Sequence, residues 1–354
     1  RQSLDRKRRK TLPEYGLWAW AALEQALGQA GLDLASLQNE RTGFLFGNDS
    51  SAVAAVEQVD ALRAAGETKS IGSGQIFRLP ASTITLNLGT MLGIRGMSWT
   101  VSSACASGAM AVGQAAELIA AGRQDRILCG GAQEISWQSM CSFDALGAFS
   151  RREEDPAGAS RPFDQARDGL VPSGGAAAVL LESFEAAEGR GAVMLGEVLG
   201  YGTASDGYHI AVPNGDGLKR AMLAALHTAE LPPAAIDLVL AHATSTPIGD
   251  RAEAQALQEV FNSTGGGSRP HIVALKALTG HEFWMAGASQ LVYGLIMAQG
   301  GFAVGNRNLD CPDPATRGLL LPTRTVDLTP RYLLCNAAGF GGTNACLLIK
   351  TARS

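Results

Sequence analysis

The sequence predicts an α/β protein made of two similar halves, and three observations lead there. Its 354 residues exceed the usual size of one domain, which calls for two cores or one large duplicated core. Short, nearly continuous apolar runs such as Leu238-Val239-Leu240 and Ala345-Cys346-Leu347-Leu348-Ile349 suit strands covered on both faces. A faint internal repeat completes the set. Residues 18–50 read as helix, short connector, strand and polar loop, and residues 218–250 repeat that order.

After each repeat comes a second strand, then a tight turn with a reactive residue, then a helix. That residue is Cys105 in the first half and His281 in the second. A duplicated unit would set the two turns at matching ends of related sheets, facing each other across a pseudo-twofold axis. The polar break Ser183–Arg190 divides the chain into halves 1–186 and 187–354. Helices are expected over 16–31, 105–122, 216–229 and 286–299. Strands are expected over 42–47, 97–102, 126–130, 174–182, 193–201, 237–242, 271–276, 332–336 and 344–350.

Composition narrows the function classes. Hydrophobic residues make up 46% and charged residues 18%, as in an ordinary globular protein, and no apolar run reaches bilayer length. No membrane partner is therefore expected. No signal peptide is visible in a chain that starts at Arg1, so the cytoplasm is the expected compartment. The six cysteines are scattered without a C-x-x-C pair, and the five histidines form no H-E-x-x-H pair. This argues against a disulfide scaffold and against a metal site. Net charge is −4, yet residues 1–10 carry six basic side chains against the single acid Asp5. That run is either a solvated helix start or a dock for an acidic partner. No aromatic residues interleave it, so nucleic acid is not expected.

Four segments carry chemistry. In VSSACASGAMAVGQAAELIAAG a strand runs through small residues into Cys105 and a helix. A helix N-terminus favours a thiolate, lowers the thiol pKa, and offers backbone N–H groups to an oxyanion. The plain alternative is a buried structural cysteine. In DLVLAHATSTPIGDRAE, His242 ends an apolar strand before a hydroxyl-rich loop, placed to donate to a substrate carbonyl or simply to sit in the core. In VALKALTGHEFWMAGAS, Lys276 leaves a strand five residues before His281. A lysine there is costly without a partner, and Glu253 is the candidate carboxylate. In CNAAGFGGTNACLLIK a glycine-rich turn joins two strands. It brings backbone N–H groups near a ligand, or is a tight hairpin alone, and lacks the phosphate-loop pattern.

In this order and spacing the four segments resemble the β-ketoacyl-ACP synthases of the thiolase superfamily, in particular ketoacyl-ACP synthases I and II, over essentially the whole chain. S-S-A-C-A-S-G is similar to the nucleophile motif, H-A-T-S-T-P-I-G-D to the first histidine motif, K-A-L-T-G-H to the lysine and second histidine motif, and G-F-G-G-T-N to the C-terminal glycine loop. The resemblance implies a thiolase-like α/β fold with a five-layered α-β-α-β-α core. It implies that Cys105 takes an acyl group from a carrier-protein phosphopantetheine thioester, with the N–H groups of Cys105 and Phe340 as oxyanion hole. His242 and His281 would bind the malonyl thioester carbonyl and stabilise the enolate as CO₂ leaves. Lys276 would orient His281, with Glu253 as its charge partner. Thr244 and Thr246 would bind the pantetheine arm, and Phe340 would be a gate. The basic run, Lys7 and Lys10 included, would dock an acidic acyl carrier protein. No metal or dissociable cofactor is implied. The resemblance also implies a dimer, either of identical chains or with a chain-length factor.

The match departs in places. Members of the family carry several dozen residues before the point matching Asp5, including a first strand. Glu282, Phe283, Trp284 and Met285 stand where small residues usually follow the second histidine, and are expected to narrow the pocket. Ala338 replaces a usual Phe, Ala243 a usual Gly, and Asn48-Asp49-Ser50-Ser51 a glycine-rich stretch. These changes point to a specialised acyl chain, such as a polyene or aryl-primed one, in fatty acid or type II polyketide synthesis. Two rival readings are weaker. A thiolase needs a second cysteine in a C-x-G setting, which neither Cys335 nor Cys346 has. A non-catalytic chain-length factor normally lacks the cysteine that is present at 105.

Overall fold

The computed structural model describes residues 4–262 and 269–352. The first half contains α1 (Arg6–Arg9), α2 (Glu14–Ala30), β1 (Thr42–Gly47), α3 (Ala52–Ala65), α4 (Thr83–Leu92), β2 (Ser98–Val101) and α5 (Ser107–Ala120). It continues with β3 (Arg126–Gln133), α6 (Trp137–Ala145), β4 (Gly175–Glu182) and α7 (Phe184–Gly189). The second half contains β5 (Gly196–Ser205), α8 (Asp216–Thr228), β6 (Leu238–Leu240), α9 (Pro247–Phe261), β7 (His271–Val273) and α10 (Lys276–Thr279). It ends with α11 (Ala286–Gly300), β8 (Phe302–Ala303), β9 (Val326–Asp327), β10 (Tyr332–Gly339) and β11 (Thr343–Thr351).

Two sheets organise these elements. The first has the order β2-β1-β3-β4, with β1, β2 and β3 parallel and β4 antiparallel to β3. The second has the order β5-β11-β10-β6-β7, with β6, β7 and β10 parallel and β11 antiparallel to its neighbours. The pattern β2-β1-β3-β4 thus recurs as β7-β6-β10-β11. Among the described residues the first sheet has no counterpart of β5.

Side-chain alternation along the strands turns two sheets into five layers. Phe44 and Phe46 face outward onto α2 and α4, whereas Leu45 between them faces inward. Likewise Leu238 and Leu240 face the interior, while Val239 faces α8 and α9. The central layer holds α5 and α11, and this explains why the strands read as apolar on both faces. The two helices cross very closely. A Cβ on Gly287 would stand 2.5 Å from Ala109 Cβ, and one on Gly108 would meet Ala288 N at 3.1 Å. Only glycine permits that approach. It brings the N-terminal ends of α5 and α11, and so Cys105 and His281, to the same place.

The expected strands are all present, but the interior of the chain between them holds more helix than the pattern suggests. Helices α3, α4 and α6 were not expected. Lys276 lies in α10, not on a strand, because β7 stops at Val273. Among the described residues no helix is long and apolar enough to cross a membrane.

Candidate active site

Cys105 occupies the turn between β2 and α5. Ala104 adopts φ 47°, a left-handed conformation unfavourable for a residue with a Cβ. Ser107 secures it: its hydroxyl accepts from the Ser103 N–H at 2.8 Å and donates to Ala104 O at 2.6 Å. The thiol is buried, 6% exposed. Burial pushes it up to about 12, against the pull of the Lys276 ammonium, and the Asp49 carboxylate adds to the rise. Burial thus acts against the lowering expected from a helix end. Cys105 precedes the first helical residue, Ser107, by two positions.

His242 follows β6. Its backbone N–H donates to Glu253 Oε1 at 2.9 Å, and the next N–H, of Ala243, to Oε2 at 2.6 Å. Asn336 Nδ2 donates to Oε1 at 3.1 Å. Glu253 is thus fully used in fixing the main chain beneath His242, and it is not the direct partner of Lys276. The loop beyond is held by Arg167, whose guanidinium donates to Thr246 O (3.1 Å) and Pro247 O (2.8 Å) and pairs with Asp313 at 2.9 Å. Thr244 and Thr246 share a hydroxyl hydrogen bond of 3.0 Å.

Lys276 is almost completely buried, and its Nζ donates to Gln290 Oε1 at 2.8 Å. Gln290 in turn donates to Leu240 O (3.2 Å) and Asn336 O (3.1 Å), tying α11 to β6 and β10. Burial pulls the ammonium down to about 8, while the carboxylates of Glu282 and then Glu253 hold it up. His281 is clamped through its backbone: its N–H donates to Val171 O at 2.7 Å and its carbonyl accepts from Ser173 N at 2.8 Å. Phe283 stacks on the His281 ring, centroids 4.7 Å apart.

The two imidazoles stand nearly perpendicular, 5.3 Å between centroids. Burial, then the Lys276 charge, holds both well below the usual histidine range, so both are neutral at neutral pH. Their Nδ1 atoms are buried without a hydrogen-bond partner, and both residues line the cavity. The glycine turn completes the site. A Cβ on Gly339 would fall 2.9 Å from the Cys105 nitrogen, so glycine leaves that N–H uncovered. Phe340 is partly exposed and stacks on Phe143 at 5.8 Å. Cys105, His242, His281, Thr244, Thr246, Glu253 and Phe340 line one cavity of about 380 Å³.

Two family models match the chain, "Beta-ketoacyl synthase, N-terminal domain" over residues 4–187 and "Beta-ketoacyl synthase, C-terminal domain" over residues 195–310. The chain belongs to the β-ketoacyl synthase family. It is 38% identical to 3-oxoacyl-[acyl-carrier-protein] synthase 1 of Haemophilus influenzae over 352 residues, 99% of this chain and 85% of that protein. Among solved structures, a beta-ketoacyl synthase from Burkholderia phymatum STM815 is 34% identical with a TM-score of 0.92, covering 100% of this chain and 86% of that one. The ketosynthase of a type II polyketide system, solved with its acyl carrier protein (AntDE:AntF), is 27% identical with a TM-score of 0.89, covering 96% and 85%.

In this β-ketoacyl synthase the fold brings all the expected cavity residues together and keeps the basic run apart from them. Lys7 belongs to α1, with a side chain outside the described part of the structure, and Lys10 is exposed, bonded to Ser73 Oγ at 2.8 Å. Phe283 and Trp284 do not close the cavity. Phe283 forms part of its wall and Trp284 lies behind it. Sequence reasoning missed Gln290, Asn336 and Phe143. Gln290 had a usable signal, a polar residue in the otherwise apolar start of α11.

Proposed function

We propose that this β-ketoacyl synthase condenses a Cys105-bound acyl group with malonyl-ACP, and that the residues lining the cavity at Cys105 carry out the two half-reactions. The supporting observation is that Cys105, both neutral histidines and the uncovered backbone beside Gly339 open into one space.

In the first half-reaction the sulfur of Cys105 attacks the acyl thioester of the carrier. The thiol is protonated at rest, so its proton leaves as the thioester arrives and ends on the departing pantetheine sulfur. The carbonyl oxygen becomes an oxyanion received by the N–H groups of Cys105 and Phe340. In the second, malonyl-ACP places its thioester carbonyl between His242 and His281. Neutral imidazoles protonated at Nε2 donate to that oxygen as the C–C bond to the carboxylate breaks and CO₂ departs. The resulting enolate carbon attacks the acyl-Cys105 carbonyl, forms the new C–C bond and expels the Cys105 thiolate, which takes up a proton. Lys276, held by Gln290, keeps positive charge near both rings and so disfavours their protonation. Thr244 and Thr246 line the wall along which the pantetheine arm passes. The chemistry uses no resident cofactor, since the arm belongs to the carrier.

The partner is an acyl carrier protein, docked by the exposed basic residues Arg8, Arg9 and Lys10 together with Lys7. A dimer is part of this reading. The edge strand β2 leaves Ser98 and Trp99 exposed, an unpaired edge that a second chain can extend. The relatives named 3-oxoacyl-ACP synthase favour fatty acid synthesis as the pathway. All six cysteines are free, which fits a reducing compartment such as the cytoplasm. The chain-length-factor reading is not favoured, because Cys105 is present and reaches the cavity.

Reconstitution with acyl-ACP and malonyl-ACP tests the proposal. The expected product is a β-ketoacyl-ACP two carbons longer, with one CO₂ per turnover and none of the extended product from Cys105→Ala. Formation of the extended product at the same rate in Cys105→Ala would contradict the assignment of the nucleophile.

A further inference from the structure

We propose that Trp284 stops the acyl side of Cys105 and restricts the enzyme to short acyl groups. The proposal rests on the acyl transfer to Cys105 described above. The cavity ends at Cys105, Phe143, Leu170 and Phe283. Behind that wall stand Met140, Phe149 and Trp284, which pack with Cys105 in one apolar cluster and do not line the cavity. An acyl group on the sulfur therefore has two options. It shares the cavity with the incoming malonyl arm, or it displaces this cluster.

Trp284 is the largest member and the most firmly placed. Its ring meets Phe283 edge-on at 5.6 Å and Phe143 at 6.2 Å, and its indole N–H donates to Ser50 Oγ at 3.3 Å. It thus bridges the wall of the cavity and the loop between β1 and α3. Its backbone is fixed too. Trp284 O lies 3.1 Å from the position a Cβ on Gly108 would take, so the residue cannot retreat without parting α5 from α11. Close-packed aromatic rings leave no void for a chain to enter. A short acyl group fits against Phe143, Leu170 and Phe283, and a long one is excluded.

The test follows acylation of the intact protein by mass, using butyryl-, octanoyl-, dodecanoyl- and hexadecanoyl-ACP. The native protein is expected to take the butyryl group at least roughly tenfold faster than the hexadecanoyl group, a discrimination within reach of a filled apolar pocket. Trp284→Ala is expected to bring the two rates close to parity, and Trp284→Leu to lie between. The leucine variant keeps the test valid if the alanine variant fails to fold, and butyryl labelling certifies the folding of each. Equal rates for both chains in the native protein, or an unchanged ratio in folded Trp284 variants, would overturn the proposal. Absence of any adduct from any chain length would instead sink acyl transfer to Cys105, and this inference with it.

Discussion

The turn that carries Cys105 and the turn that carries His281 come from equivalent places in two equivalent halves, with His242 beside the second after β6, yet the nucleophile and the histidines are held in different ways. Around Cys105 the neighbours are apolar, and the turn is tied by backbone bonds and the Ser107 hydroxyl. Around the histidines, buried charges and amides do the holding: Glu253 under His242, Gln290 on Lys276, Arg167 on the threonine loop. A nucleophile needs an open approach and a free N–H, which small residues supply. Two hydrogen-bond donors aimed at one oxygen need fixed positions, which a satisfied polar network supplies.

This difference can be broken from either side. The largest effect is expected from removing a donor: His242→Ala or His281→Ala should slow malonyl-ACP decarboxylation by about 10²- to 10³-fold, with melting temperature nearly unchanged. Next comes the scaffold. Glu253→Ala leaves three buried N–H donors unpaired and should cost about 3 kcal/mol in denaturant unfolding, whereas Cys105→Ala should cost about 1 kcal/mol. The nucleophile side is sharpened by pH. With the thiol raised to about 12, the reactive thiolate fraction grows as pH rises, so alkylation of Cys105 by iodoacetamide should speed up about tenfold per unit between pH 7 and pH 9. A rate flat across that range would show a thiolate already formed. The smallest effect is expected at Gly339→Ala, whose methyl group would crowd the Cys105 N–H and slow acylation by about tenfold while leaving decarboxylation intact.

What the sequence revealed followed the same division. The strands were legible because burial on both faces makes them continuous apolar runs, and the motif positions were legible because turns before helices need small residues. Helices α3 and α4 were not. Each begins after a polar stretch, and the Thr83-Ile84-Thr85 start of α4 favours strand by propensity, overridden by packing of Ile84, Leu88 and Leu92 on the sheet. The polar scaffold was the least legible part. A buried lysine and a buried glutamate in one sequence suggest a pair, but Glu253 instead satisfies two backbone N–H groups and Asn336, and Gln290 of α11 takes the lysine. Charge attraction acts at a distance and leaves the direct partner to geometry. The burial of the thiol was hidden for a similar reason. A helix end is visible in sequence, and the depth of burial that raises the thiol is not.

The central claim is that the two regions perform separable steps, acyl transfer at Cys105 and decarboxylation at the histidine pair. The measurement that tests it most directly is the rate of both half-reactions in two variants, Cys105→Ala and the double variant His242→Ala with His281→Ala. Acylation is read by intact mass and decarboxylation by CO₂ release from malonyl-ACP. The account predicts that Cys105→Ala loses acylation and still decarboxylates, while the double histidine variant is still acylated and no longer decarboxylates. Loss of both steps in either folded variant would contradict it.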